Sequence, residues 1–97
     1  MCLFEWDDEK AKANLAHHGI SFKAAQKVFS DPYRLIDRDD RYDYGEDRWQ
    51  AIGMVEEGCP MLFVVFTNRE DNTEVIRIIS ARRAKPQERR RYGNRKI

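Results

Sequence analysis

The sequence predicts an α+β domain: two N-terminal helices packed on an antiparallel sheet of three to four strands, with a C-terminal helix after the sheet. Three observations support that class. Residues 8–29 show apolar positions at helical spacing behind capping residues, β-branched and aromatic residues gather in runs between Trp49 and Ala81, and Pro86 opens a last segment of helical character. Short polar connections separate the runs, so each strand is expected to fold back on its neighbour. With 97 residues, the chain is long enough for a single domain, 1–97, with its own core.

The elements follow in order. Leu3 to Trp6 is a short apolar piece with the length of an edge strand. Asp7 is a good N-cap for a helix running to His18, with Gly19 as the residue that ends it, and Ala11, Leu15 and His18 share one face. Ser21 caps a second helix whose inward stripe is Ala24, Ala25, Val28 and Phe29, and Asp31-Pro32 stops it. Arg34 to Asp37 is a weak strand. Asp37 to Asp47, with six acids and two arginines, is a charged loop. Trp49 to Val55, Met61 to Thr67 and Val75 to Ala81 are strands, the middle one apolar on both faces and therefore central, with Glu57-Gly58 as the first turn and Asn68 to Thr73 as the second. Pro86 sits at the first position of a helix ending near Tyr92-Gly93, although Lys85 is a poor cap for it.

Charge is distributed unevenly. The net value of +1 conceals −5 over residues 1–57 and +6 over residues 58–97, and residues 74–97 alone hold nine basic side chains against two acidic. A dense positive field beside a buried strand suits a polyanion such as an RNA or DNA phosphodiester, because each neutralised phosphate releases counterions. An acidic protein is the other partner of that kind, and a solvated helical face is the plain alternative for Arg89, Arg90, Arg91, Arg95 and Lys96. Arg77 stands between Ile76 and Ile78 in mid-strand, where a cation is uncommon without a role.

The candidate site comprises Arg69 and Glu70 at the end of the central strand and Arg77, Ser80, Arg82 and Arg83 along the next. Lys85, Arg89 and Tyr92 follow in the tail as RNA-binding candidates. Guanidinium groups gathered around one point repel unless an anion lies between them, and phosphate fits their planar fork. In RNA cleavage without a metal, the 2′-hydroxyl attacks its own phosphodiester, and arginines aimed at the developing charge stabilise it. Glu70 is the nearest base, with a surface ion pair as its plain alternative. Tyr92 either stacks on a base or donates a proton, or else docks on the core. His17 and His18 precede a capping glycine, where packing and the helix dipole account for them, and a catalytic base is the second reading.

Other chemistry is excluded. Cys2 and Cys59 make no disulfide framework and no CxxC site, which points to a reducing compartment. Asp37-x-Asp39 begins like a calcium loop, but Arg41 and Tyr42 occupy positions that need an oxygen ligand and a glycine. No nucleophile motif or phosphate-cradling glycine loop occurs, and no metal or other cofactor is expected. The start MCLFEWDDEK lacks the form of a signal peptide, and the longest apolar run, Met61 to Phe66, is far short of a membrane span. A cytoplasmic protein without membrane contact is expected.

Phe4-Glu5-Trp6-Asp7, Asn14-Leu15, His18-Gly19 with Phe22, Asp31-Pro32, Tyr44-Gly45-Glu46-Asp47-Arg48-Trp49, Ile52-Gly53, Val64-Val65-Phe66-Thr67 and Arg77-Ile78-Ile79-Ser80-Ala81-Arg82 occur in that order. Together they closely resemble the BrnT family of bacterial toxins, over residues 4 to 92. The resemblance implies a RelE-like fold and a metal-independent endoribonuclease toxin of a type II toxin-antitoxin module that inhibits translation by cutting RNA. It also implies a BrnA-like ribbon-helix-helix antitoxin as partner, with DNA reached only through that antitoxin. Carried over, the family's strand signature falls on Arg77, Ser80 and Arg82, and its strand-end pair on Arg69 and Glu70. Asn68 stands where family members often have glutamate, leaving one fewer acid near the site. Two other readings compete: a non-catalytic module that binds nucleic acid or antitoxin in operon autoregulation, and a permanent antitoxin surface on an exposed sheet face.

Overall fold

Five strands, β1 (Leu3–Glu5), β2 (Leu35–Arg38), β3 (Trp49–Met54), β4 (Met61–Arg69) and β5 (Asn72–Arg83), form one mixed sheet in the order β1-β5-β4-β3-β2. Helices α1 (Asp8–His18) and α2 (Phe22–Ala25), the latter running on as a 3₁₀ segment Gln26–Ser30, precede β2, and α3 (Pro86–Lys96) follows β5. The computed structural model describes residues 3–41, 45, 47–56, 60–69 and 72–96, except the side chains of 69, 72–74, 95 and 96. The Glu57-Gly58 turn therefore lies outside the described residues. Among the described residues no helix is long and apolar enough to cross a membrane.

The sheet corrects the expectation of three to four antiparallel strands. β2 to β5 are antiparallel neighbours, but β1 adds a fifth strand, and it runs parallel to β5 with Leu3 opposite Val75, Phe4 opposite Ile76 and Glu5 opposite Arg77. Three residues carry too little pattern to reveal a partner, and a parallel pairing needs a long crossover, here most of the chain.

Caps set the helices as expected. The Asp7 carboxylate accepts from the Glu9 and Lys10 amides at 2.9 and 3.2 Å, Gly19 ends α1 at φ 71°, and the Ser21 hydroxyl accepts from Ala24 at 3.0 Å. The inward face of α1 differs from the expected one, for Leu15 and His18 are exposed and Asn14 is buried. The Asn14 amide donates to the carbonyls of Ala81 and Ile20 at 2.8 and 2.9 Å and accepts from the Ala81 N–H at 3.1 Å. Beyond Arg77, β5 has no β1 residue beside it, so this side chain replaces the missing strand by pairing with both backbone groups of one edge residue.

Each sheet face has its own core. Phe22, Ala25 and Val28 bury Ala51, Leu62, Val64, Phe66, Ile76, Ile78 and Ala81 on one face, which we term the helix-pair face. Tyr92 and Ala84 cover Leu35, Ile52, Phe63 and Val65 on the other. The poor cap at Lys85 is compensated from within α3, because Glu88 reaches back to accept from the Lys85 N–H at 2.7 Å. α3 continues through Gly93 to Lys96, beyond the expected stop.

Asp31 joins the layers. Buried at the end of the 3₁₀ segment, it accepts from the Tyr33 amide at 2.9 Å, the Met54 amide at 2.8 Å and the Tyr92 hydroxyl at 2.7 Å. Gly53 allows the approach, since a Cβ there would lie 3.0 Å from Val28 Cγ1 and 3.2 Å from Asp31 Oδ2. Burial first, and then the Asp31 carboxylate, push the Tyr92 phenol up to about 12.

Two outcomes are expected. Asn14→Leu strands the Ala81 N–H and carbonyl and lowers unfolding free energy by about 3 kcal/mol in denaturant titrations, whereas Leu15→Ala at an exposed position changes it by less than about 0.5 kcal/mol. Tyr92→Phe removes a hydrogen bond to a charged acceptor and lowers stability by about 2 kcal/mol. Because the folded phenol titrates above its unfolded value of about 10, its contribution is full below that pH and declines as pH rises toward about 12. The variant should lose less stability over that window.

Candidate nucleic-acid interface

β4 and β5 place the polar strand residues through their register. Arg77 lies opposite Thr67, Ser80 opposite Val65 and Arg82 opposite Phe63. Thr67, Val65 and Phe63 alternate along β4 and so share one face, the face of α3. Positions 77 and 80 are an odd number apart and would point to opposite sides of a regular strand. The register shift between Val65 and Phe66 supplies the missing step: Phe66 pairs with Ile78, leaving Ile79 as an extra residue. The bulge thereby gathers Arg77, Ser80 and Arg82 on one side. Arg83, opposite Leu62, falls on the helix-pair side instead.

Each arginine of this face has a defined setting. Arg82 is the most enclosed, its side chain 21% exposed, with a bidentate pair to Glu88 at 2.8 and 2.9 Å and its guanidinium carbon 4.2 Å from the Phe63 ring centroid. It also donates to the Arg83 carbonyl at 3.1 Å. Three of its five N–H groups are thus used, and two have no partner among the described residues. Burial alone would raise the Glu88 carboxyl; the Arg82 hydrogen bonds, the Lys85 amide and the two positive charges outweigh it and hold the group below the ordinary carboxylate value. Arg77 is more open and reaches Glu5 of β1 at 3.7 Å. Ser80 is half-buried between them.

Arg41 is a member that the sequence reading missed. Its guanidinium carbon lies 5.3 Å from the Phe63 centroid, so it shares one apolar platform with Arg82. Asp39 holds it at 2.8 and 2.9 Å, and this carboxylate has no exposed surface and also accepts from Gln50 at 3.2 Å. Among the other described residues of the charged stretch, Arg38 pairs Asp40 and Asp47, and Asp37 pairs Arg91 of α3. An available sequence signal was the arginine at the fifth place of the failed calcium pattern.

The expectation of unbalanced guanidinium groups held apart by an anion requires correction. Arg77, Arg82 and Arg41 each already face a carboxylate, from Glu5, Glu88 and Asp39. Tyr92 also leaves the RNA-binding set: it is 5% exposed and bonded to Asp31, so no ring face remains for a base, and a phenol at about 12 is a poor proton donor near neutrality. Lys85 and Arg89 are exposed around the start of α3. Glu70 and the Arg69 side chain lie outside the described residues.

His18 also carries acid-base chemistry near this end of β5. Asn14 and His18 are one helical turn apart on α1, and Asn14 is fastened to Ala81. Loss of surrounding solvent, then the His17 and Arg82 charges, hold the imidazole below the ordinary histidine value. It is therefore mostly neutral at pH 7. The His17 ring stands edge-on to it at 4.4 Å.

The structure is similar to the 1.1 Å crystal structure of the Brucella abortus ribonuclease toxin, BrnT, with 25% sequence identity, a TM-score of 0.62, and coverage of 88% of this chain and 99% of that one. No curated protein matches the sequence. Residues 6–88 match the family described as the ribonuclease toxin, BrnT, of type II toxin-antitoxin systems, and over that span the chain belongs to the BrnT family.

Proposed function

We propose that this chain is a metal-independent endoribonuclease whose substrate phosphate is held on the α3 side of the sheet by Arg77, Ser80, Arg82 and Arg41. The observation that carries this reading is the family match over residues 6–88, and the bulge that aligns the strand residues on one face supports it. Arg69 and Glu70 complete the site at the strand end, and Arg83, Lys85 and Arg89 hold RNA outside it. By cutting RNA the chain inhibits translation, and it does so in the cytoplasm. A BrnA-like ribbon-helix-helix antitoxin is the partner and carries the complex to DNA.

The chemistry is an in-line displacement. The 2′-hydroxyl loses its proton to a base and its oxygen attacks phosphorus, and the bond to the 5′-oxygen breaks as that oxygen takes a proton. The ends are a 2′,3′-cyclic phosphate and a 5′-hydroxyl. Arg82 offers the phosphate its two remaining N–H groups while Glu88 holds the guanidinium over the Phe63 ring, so the carboxylate orients the cation without occupying all of it. Arg77, exposed and paired only at 3.7 Å, exchanges Glu5 for phosphate at little expense. Glu70 and His18 are the two groups for proton transfer.

Purified protein is expected to cut RNA in EDTA and to leave cyclic or 3′-phosphate ends. Arg82→Ala and Arg77→Ala together should reduce cleavage at least roughly 100-fold with the circular dichroism of the fold retained; unchanged cleavage would refute the roles given to these arginines. A pH–rate profile separates the bases. With His18 the rate limb lies somewhat below the ordinary histidine value of about 6.5 and disappears in His18→Ala, whereas with Glu70 the profile survives that change.

A further inference from the structure

The outer surface of the helix layer carries an apolar groove that the RNA face does not explain. Trp6, Ala11, Leu15 and Phe22 line it, with Lys12 and Lys23 at its rim, around a volume of about 210 Å³. Its floor is rigid, since Phe22 is buried in the core and Trp6 meets it edge-on at 6.0 Å. One wall is Leu15, which is 52% exposed and is the sole large aliphatic residue of α1. The space is sufficient for one aromatic or large aliphatic side chain, given that an apolar cavity of about 150 Å³ holds benzene.

The rim selects the occupant. Lys12 touches Glu9 only at 3.8 Å, with both side chains mostly in solvent, and Lys23 is exposed. Two lightly held ammonium groups beside an apolar slot complement a segment that presents one large apolar residue between carboxylates. The groove lies on the helix-pair side of the sheet, whereas Arg77, Ser80 and Arg82 lie on the α3 side.

We propose that this groove docks an acidic, amphipathic segment of the antitoxin, whose apolar side chain enters between Leu15 and Trp6 while its carboxylates meet Lys12 and Lys23. The identity of the partner rests on the toxin-antitoxin reading above; the chemistry of the surface does not.

The test uses the full chain and the protein encoded beside it. Lys12→Glu with Lys23→Glu, and separately Leu15→Glu, are expected to weaken antitoxin binding at least 100-fold by calorimetry while RNA cleavage stays within twofold of wild type. Salt should weaken the wild-type complex and affect the double variant little. Wild-type affinity in both variants overturns the proposal. Self-association of the wild-type chain that Leu15→Glu abolishes, with antitoxin affinity kept, assigns the groove to a second copy and also overturns it. Cleavage is read separately: a wild-type chain that cuts no RNA defeats the nuclease assignment, while an affinity loss in the variants would still support the groove.

Discussion

The Asp31 carboxylate is the constraint on which the architecture depends. It sits where the helix layer ends, takes the Met54 amide from the sheet and the Tyr92 hydroxyl from α3, and so ties the coverings of both sheet faces to one buried charge. Burying a carboxylate is unfavourable unless its oxygens are satisfied, and three donors at 2.7 to 2.9 Å meet that need. The same geometry explains Gly53, since any side chain there would press on Val28 and on this carboxylate. Asp31-Pro32, Ile52-Gly53 and Tyr92 are far apart in sequence and act as one joint.

Much of the fold was legible from local chemistry. Asp7, Gly19 and Ser21 announced the helix ends, and the apolar runs of β3, β4 and β5 announced the antiparallel core, because caps and alternation act within a few residues. What was illegible depended on distant partners. Nothing near Leu3–Glu5 says that it lies beside residues 75–77, and nothing in α1 distinguishes Asn14 as the inward residue, since its partners are the backbone of Ile20 and Ala81. The site shows the same division. Arg77, Ser80 and Arg82 were selected by type and resemblance, but their shared face follows from one extra residue in β5. Arg41 was not legible because its guanidinium is placed by a buried carboxylate, Asp39, whose burial the local sequence does not announce.

The electrostatics of this face differ from a simple basic patch. Its arginines are held by carboxylates in fixed orientations, two of them over a single phenylalanine. A cation secured in this way gives up long-range attraction and keeps directional donors, which favours discrimination in geometry over unselective adhesion to any polyanion. Arg83, Lys85, Arg89 and Arg90 are exposed, have no carboxylate ion pair among the described residues, and widen the positive field.

The position of β5 has a consequence for when the molecule becomes competent. The strand made last lies between β4 and the strand made first, so chains that stop short of it leave β1 without a neighbour and β4 with a bare edge. No partial product of synthesis contains a miniature of the polar face, because half of that face is the inserted strand itself. The β1–β5 contacts span some seventy residues, and loop entropy disfavours such closure. Synthesis therefore yields the assembled polar face only after β5 has been made.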